Sequence, residues 1–194
     1  LIIGVSCIIS TWNLTPNDVN LNMMPLFHIG GVVRNVLSPI LSGGSVITCS
    51  GFDPVLFWDI LQSKEINYNV TWYYAAPTMH HAILQQADTL VLNNSNLIRD
   101  NLPGVNNIRF IANAAGALLP ALALNLQQTF HATILTGYGM TECMPISSPP
   151  QNYNLDPQGT SGIPCGPEVI IVDPDHINIL PIKTPGHIMI RGAP

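Results

Sequence analysis

The chain has 194 residues, of which 47% are hydrophobic and only 9% charged, and its six Lys and Arg against eleven Asp and Glu leave a formal net charge of −5. That composition supplies a sizeable core for one domain or slightly more, and a surface so poor in charge, against the usual quarter or so, suits a segment that packs against the rest of its own chain. Six basic residues exclude nucleic acid or an anionic membrane as the main partner, because both are bound through clustered cations.

The opening run "LIIGVSCIIS" is too short to span a bilayer and lacks the basic start of a leader, so no transmembrane segment is expected. In "DVNLNMMP", Val19, Leu21 and Met23 alternate with polar neighbours, the period of a half-buried strand. Pro25 ends it and "LFHIGG" follows as a loop. "GVVRNVLSPILSGG" reads as a helix closing at Gly43-Gly44, and "SVITC" as a short buried strand. "FDPVLFWDILQSKE" predicts a helix capped by Asp53, with Pro54 in its first turn and Leu56, Ile60 and Leu61 on its apolar stripe.

Next come a strand in "NVTWYYAAP", a helix in "TMHHAILQQADTL", a polar connection, a strand in "IRFIAN", a helix in "LPALALNLQQTF" and a strand in "HATIL". Such alternation predicts an α/β fold, a mainly parallel sheet covered by helices. From Pro149 the texture changes to turns, and "EVIIVD", "INILPI" and "GHIMIRG" read as strands without helices. Residues 1–149 are thus expected to form the α/β unit, and 150–194 a linker and the start of a small β subdomain. The chain begins at Leu1 and ends on "IMIRGAP", which reads as part of a longer protein. Its four cysteines form no CxxC and no regular spacing, which argues against a metal or disulfide framework. An intracellular, cytoplasmic setting is expected, and a peroxisomal one is compatible.

Chemistry concentrates in "TGYGMTE", residues 136–142. A buried strand delivers this segment to the carboxyl edge of the sheet, where ligands of open α/β sheets bind. Gly137 and Gly139 let the backbone approach a ligand. Tyr138 offers a flat ring, Thr141 a hydroxyl donor, and Glu142 a hard oxygen that suits Mg²⁺ when phosphates supply other ligands. The same residue types would also make a tight turn ending on a satisfied acid. "NAAGALLP" likewise follows a strand, and Ala114, Ala115, Gly116 and Ala117 are small enough for a flat ligand or for close helix packing. His28 ends a strand beside a glycine pair and lines a pocket or holds structure. His80 and His81 read as structural, pointing to different faces of one helix. Gly137, Met140 and Cys143 beside these groups are small or apolar.

The order "LTPNDVNLNMMPLFHIGG", "TWYYAAPTMHHAIL", "RFIANAAGALLP", "TGYGMTE", "GTSGIPCGPEVIIVD", "PGHIMIRG" resembles the adenylate-forming superfamily of acyl-CoA synthetases, peptide-synthetase adenylation domains and luciferases. The likeness runs collinearly through the whole chain, and its wording is similar to fungal acyl-CoA-synthetase-like or peptide-synthetase-like proteins. It implies that Tyr138 stacks on adenine and that Gly139, Ala115, Gly116 and Ala117 line the nucleotide. It implies Thr141 on the α-phosphate and Glu142 on Mg²⁺, with His28, Gly137 and Met140 at the acyl pocket. ATP and Mg²⁺ are then cofactors, a carboxylic acid the substrate, and CoA or a carrier-protein phosphopantetheine arm the acceptor. The resemblance also expects a phosphate loop before Leu1, a ribose-binding Asp after Pro194 and a C-terminal domain with a catalytic Lys, so this segment alone is expected to be inactive. A degenerate copy that binds a nucleotide or a partner without turnover is the non-enzyme alternative. Leu118 and His187 depart from the usual wording.

Overall fold

The computed structural model describes residues 1–63, 68–113 and 115–192. Ala114, the last two residues, 64 and 65, of the predicted helix "FDPVLFWDILQSKE" and the last two residues of "IMIRGAP" lie outside them.

A five-stranded parallel sheet forms the centre. Its strands are β1 (Val19–Asn22), β2 (Ser45–Thr48), β3 (Trp72–Ala75), β4 (Phe110–Asn113) and β5 (Thr133–Thr136), in the order β2-β1-β3-β4-β5. Helices cover both faces, as the α/β pattern predicts. On one side α3 (Pro54–Gln62), α4 (Pro77–Asn93) and α5 (Pro120–Phe130) enclose Leu21, Tyr73, Ile111 and Ile134 with Trp58, Ile83 and Phe130. On the other, α1 (Ile2–Thr11) packs Val5, Ile8 and Trp12 against Trp72, Tyr74, Phe110 and Leu135. The period of two along each strand sends successive residues to opposite cores.

Several sequence expectations change. "LIIGVSCIIS" is a helix, with Gly4, Val5 and Ile8 buried. β1 is not half-buried: the Asn20 and Asn22 that alternate with its apolar residues are 0% and 1% exposed, because an interior parallel strand is covered on both faces. Asn22 Oδ1 accepts from the Met24 N–H at 3.0 Å and from Asn35 Nδ2 at 2.8 Å. "SVITC" is the sheet edge, with Ser45 and Thr48 exposed rather than buried. Asp53 caps α3 as expected, accepting from the Val55 and Leu56 N–H groups. Its buried stripe is Phe57, Trp58 and Leu61, because Trp58 stacks on Phe130 with ring centroids 5.5 Å apart and turns Leu56 outward. His131 is the left-handed cap of α5 (φ 51°), not the start of β5. "INILPI" forms only a single bridge, Ile179 to Val172.

"GVVRNVLSPILSGG" is helical in two parts. Gly30–Leu37 is π-helical and runs into α2 (Ser38–Leu41). Pro39 lacks an N–H and its ring would clash with an α-helical carbonyl four residues back. The wider turn relieves this, with the Ser38 N–H and Oγ both donating to the Val33 carbonyl.

Beyond β5 the pairing becomes antiparallel. β6 (Tyr138–Met140), β7 (Cys143–Ser148) and β8 (Ile163–Pro164) form one small sheet, and β9 (Glu168–Val172) with β10 (His187–Arg191) another. "TGYGMTE" is therefore a strand and hairpin tip rather than a loop.

The amino edge of the main sheet is tied shut. Asp18, Thr71 and Arg109 precede β1, β3 and β4. Arg109 donates to both Asp18 oxygens at 2.6 and 2.9 Å, and Thr71 Oγ1 donates to Oδ1 at 3.0 Å. The opposite, carboxyl edge carries no such clamp among the described residues.

Candidate active site

Parallel register brings the chemistry-bearing segments together. Ala75 of β3 pairs with Asn113 of β4, and Asn113 with Thr136 of β5. The chain after each strand thus leaves the same edge beside its neighbour. After β4, the Asn113 Nδ2 donates to the Gly116 carbonyl at 3.0 Å and folds the chain back on itself. Ala115 is left-handed (φ 65°), and a Cβ at Gly116 would sit 3.3 Å from Pro77 Cγ. Ala115, Gly116 and Ala117 form an exposed ledge of small residues.

After β5, the Gly137 N–H donates to the Asn113 carbonyl at 3.0 Å, which ties the start of the hairpin to the end of β4. Met140 pairs with Cys143, leaving Thr141 and Glu142 as the exposed two-residue tip. Tyr138 and Met140 are each 37% exposed, so the strand alternation turns the tyrosine ring and the thioether outward. Glu142 makes no ion pair among the described residues. Gly139 faces the other way, toward Arg34.

His28 lies after β1 and is half-buried. Its Nδ1 accepts from the Gly30 N–H at 3.0 Å, which puts the proton of the neutral ring on Nε2. A Cβ at Gly30 would lie 3.0 Å from the Tyr74 hydroxyl and 3.2 Å from His28 Nδ1. His28 and Tyr74 are therefore neighbours, and a side chain at position 30 would press on both. His80, in the first turn of α4, is fully buried against Tyr73, in keeping with a structural role. Two groups beside the site carry no expectation from sequence, Tyr74 and Arg34. A cation inside the apolar stretch "GGVVRNV" is the signal that would have marked Arg34.

The family of AMP-binding enzymes matches residues 2–193. This chain belongs to that family. The oxalate–CoA ligase of Saccharomyces cerevisiae is 36% identical over 192 residues, covering 95% of this chain and 31% of that protein. The oxalate–CoA ligase of Arabidopsis thaliana is 29% identical over 193 residues, covering 97% and 35%. The crystal structure of apo MatB from Rhodopseudomonas palustris superposes with a TM-score of 0.82 over 99% of this chain and 35% of that one, and at 22% identity it shows the fold alone. The chain spans about a third of the length of the curated relatives it matches. As a member of the AMP-binding enzymes it carries the parallel sheet of their N-terminal part. No described helix is long and apolar enough to cross a membrane.

Proposed function

We propose that this chain carries the adenylate half-site of an ATP-dependent acid–CoA ligase. The observation that carries the reading is that the small-residue ledge 115–117 and the hairpin ending in Thr141-Glu142 leave neighbouring strands at one carboxyl edge. The family match and the relatives' names, CoA ligases, support it.

In this reading the adenine of ATP lies along Ala115, Gly116, Ala117 and Gly139, with the Tyr138 ring stacked on it. An exposed ledge without long side chains and a half-exposed ring fit a flat base. Thr141 donates its hydroxyl to an α-phosphate oxygen. The substrate carboxylate attacks the α-phosphorus and pyrophosphate leaves, giving an acyl-adenylate; a thiol then takes the acyl group and AMP departs. His28 Nε2–H, fixed by its Gly30 bond, orients the carboxylate, with Gly137 and Met140 at the acyl pocket. A single unpaired carboxylate at an exposed tip fits Mg²⁺, which takes one or two protein carboxylates and fills its shell with phosphate and water. Glu142 would hold it, and the ion would neutralise phosphate charge. Catalysis of this type is positioning and charge stabilisation.

CoA is the acceptor favoured by the relatives' names, over a carrier-protein phosphopantetheine arm with the same thiol. Residues 1–149 act as the nucleotide unit and 150–194 as the start of a β subdomain. The four cysteines are free, as in a reducing intracellular compartment such as the cytoplasm.

The test is pyrophosphate exchange by the complete protein. Exchange is expected to need an acid and Mg²⁺, and Glu142→Gln is expected to lower it roughly 100-fold. Unchanged exchange in that variant removes the metal role. No acid-dependent exchange with any acid removes the ligase reading.

A further inference from the structure

β5 is the end strand of the parallel sheet, and the segment 151–160 is pinned to it at two points. Thr133 Oγ1 donates to the Gln151 carbonyl at 3.1 Å and Thr136 Oγ1 to the Thr160 carbonyl at 2.6 Å. Between the pins the segment forms no strand, and the Tyr153 hydroxyl donates to the Pro157 carbonyl at 2.7 Å. A cavity of about 510 Å³ lies between this segment and α5, a volume in the range of small-molecule sites. Ala121 and Leu124 of α5 line one side, Tyr153 and Leu155 the other, and Leu118 and Thr136 line it as well.

Leu118 and Thr136 tie the cavity to the nucleotide edge. Leu118 directly follows Ala117 of the ledge, and Thr136 directly precedes Gly137 and Tyr138 of the hairpin. The segments of the site leave β1, β4 and β5 in that order across the sheet: His28, then the ledge, then the hairpin. The cavity comes next, past β5. The hairpin runs in the same sense, with Thr141 at its tip, Tyr138 in the strand and Thr136 at its root. With the α-phosphate at Thr141 and the base at Tyr138, the edge of adenine farthest from the ribose, which carries the exocyclic N⁶, is directed to the root. The lining is unsuited to phosphate or carboxylate, because Asp156 is the only charged side chain in it. It suits an uncharged, partly apolar group.

We propose that this cavity extends the nucleotide site and receives an uncharged substituent on N⁶ of adenine, so that N⁶-alkyl and N⁶-aryl adenine nucleotides serve as cofactors alongside ATP. The assignment rests on the ligase reading above for the pose of the base. An N⁶-benzyl ring enters between Leu124, which is 46% exposed, and Leu155, and burial of these apolar surfaces offsets the loss of one N–H. A substituent at carbon 8 of the base lies on the ribose side and points away from the cavity.

The complete protein is assayed by pyrophosphate exchange with ATP, N⁶-benzyl-ATP and 8-benzylamino-ATP, in the presence of an acid that supports exchange with ATP. The wild type is expected to use N⁶-benzyl-ATP with a kcat/KM within roughly 10-fold of that for ATP, and 8-benzylamino-ATP roughly 100-fold less well. Leu124→Trp, which fills the cavity from the exposed side of α5, is expected to raise the KM for N⁶-benzyl-ATP by roughly 10-fold and to leave ATP unchanged. A wild type that turns over ATP but uses N⁶-benzyl-ATP no better than 8-benzylamino-ATP overturns the assignment, and it needs no variant to fold. A Leu124→Trp protein in which the two nucleotides change alike, or not at all, also overturns it. Where no acid supports exchange, melting temperature reads binding alone. A rise with AMP and N⁶-benzyl-AMP, and not with 8-benzylamino-AMP, leaves the cavity standing and removes the ligase reading; any other pattern overturns the cavity as well.

Discussion

His80→Gln is expected to remove an acid-triggered loss of stability. His80 is 0% exposed; its Nδ1 lies 3.4 Å from the Tyr73 hydroxyl and its Nε2 has no partner. Burial lowers its pKa from 6.5 to about 3, against an opposing backbone bond at Ala75. The folded state therefore keeps the ring neutral while the unfolded chain takes up a proton below pH 6.5. Stability from this group is whole above that pH and falls between 6.5 and about 3. Integrating proton uptake from those two values down to pH 4.5 gives a loss of about 3 kcal/mol. With urea slopes of about 1–3 kcal/mol/M, that moves the wild-type midpoint by roughly 1 M or more between pH 7.5 and 4.5. Carboxylates titrate in the same range, so the quantity to read is the difference between wild type and His80→Gln. Glutamine keeps a polar group and cannot charge, so the variant is expected to lose less on acidification even if it starts less stable. Equal losses in the two proteins would refute the reasoning and mean that the folded state accommodates the imidazolium.

Two further stability tests follow from the geometry on either edge of the sheet. A Cβ at Gly31 would overlap the Pro25 carbonyl, whereas one at Gly51 meets nothing within 4 Å; Gly31→Ala is expected to cost more than about 2 kcal/mol and Gly51→Ala under about 0.5 kcal/mol in urea unfolding. Asp18→Asn removes the two-point contact with Arg109 and is expected to cost about 2 kcal/mol at pH 7, less than a fully buried pair because the Arg109 side chain is 33% exposed. Burial raises the Asp18 pKa, and the bonds from Arg109, Thr15 and Thr71 outweigh it to hold the group below the usual carboxylate range. Its stabilisation is thus present above the unfolded carboxylate pKa and lost as the pH falls through the lowered folded value, and unfolding measured across that range in wild type and variant is expected to converge at the acid end.

Most of the parallel unit was legible because its signals are local. Asp53-Pro54 and Leu119-Pro120 mark helix starts without reference to anything distant, and runs such as "TWYYAA" carry their own strand propensity. The misreadings have a common physical source, the neighbours. β1 looks half-buried by alternation, but a strand with partners on both sides and helices on both faces buries its asparagines too, Asn22 with side-chain bonds to Met24 and Asn35 and Asn20 without one among the described residues. Trp58 rotates α3 because a stacked ring on Phe130 outweighs a leucine's burial. The hairpin 138–148 was hidden by Gly137 and Gly139, which read as a loop until Cys143–Ser148 supplies the strand that pairs them.

The candidate site divides in the same way. Ledge and hairpin tip were visible because glycine, alanine, hydroxyl and acid reveal their chemistry by type and spacing. Arg34 was not, because what makes it unusual is an absence that only three dimensions can register: the carboxylate that should face it. Trp12, Tyr74 and Gly139 reach it from α1, β3 and β6, and none of them is within 20 residues of it in sequence. Yet one inference was open from sequence. With so few cations, a chain that places one between Val33 and Asn35 in an apolar helix must either pair it with a carboxylate or bury it against aromatic faces. Three arginines take the first course and tie strand ends or helices. The fourth lies beneath the glycines of the hairpin, held between the Trp12 and Tyr74 rings and the Gly137–Gly139 backbone.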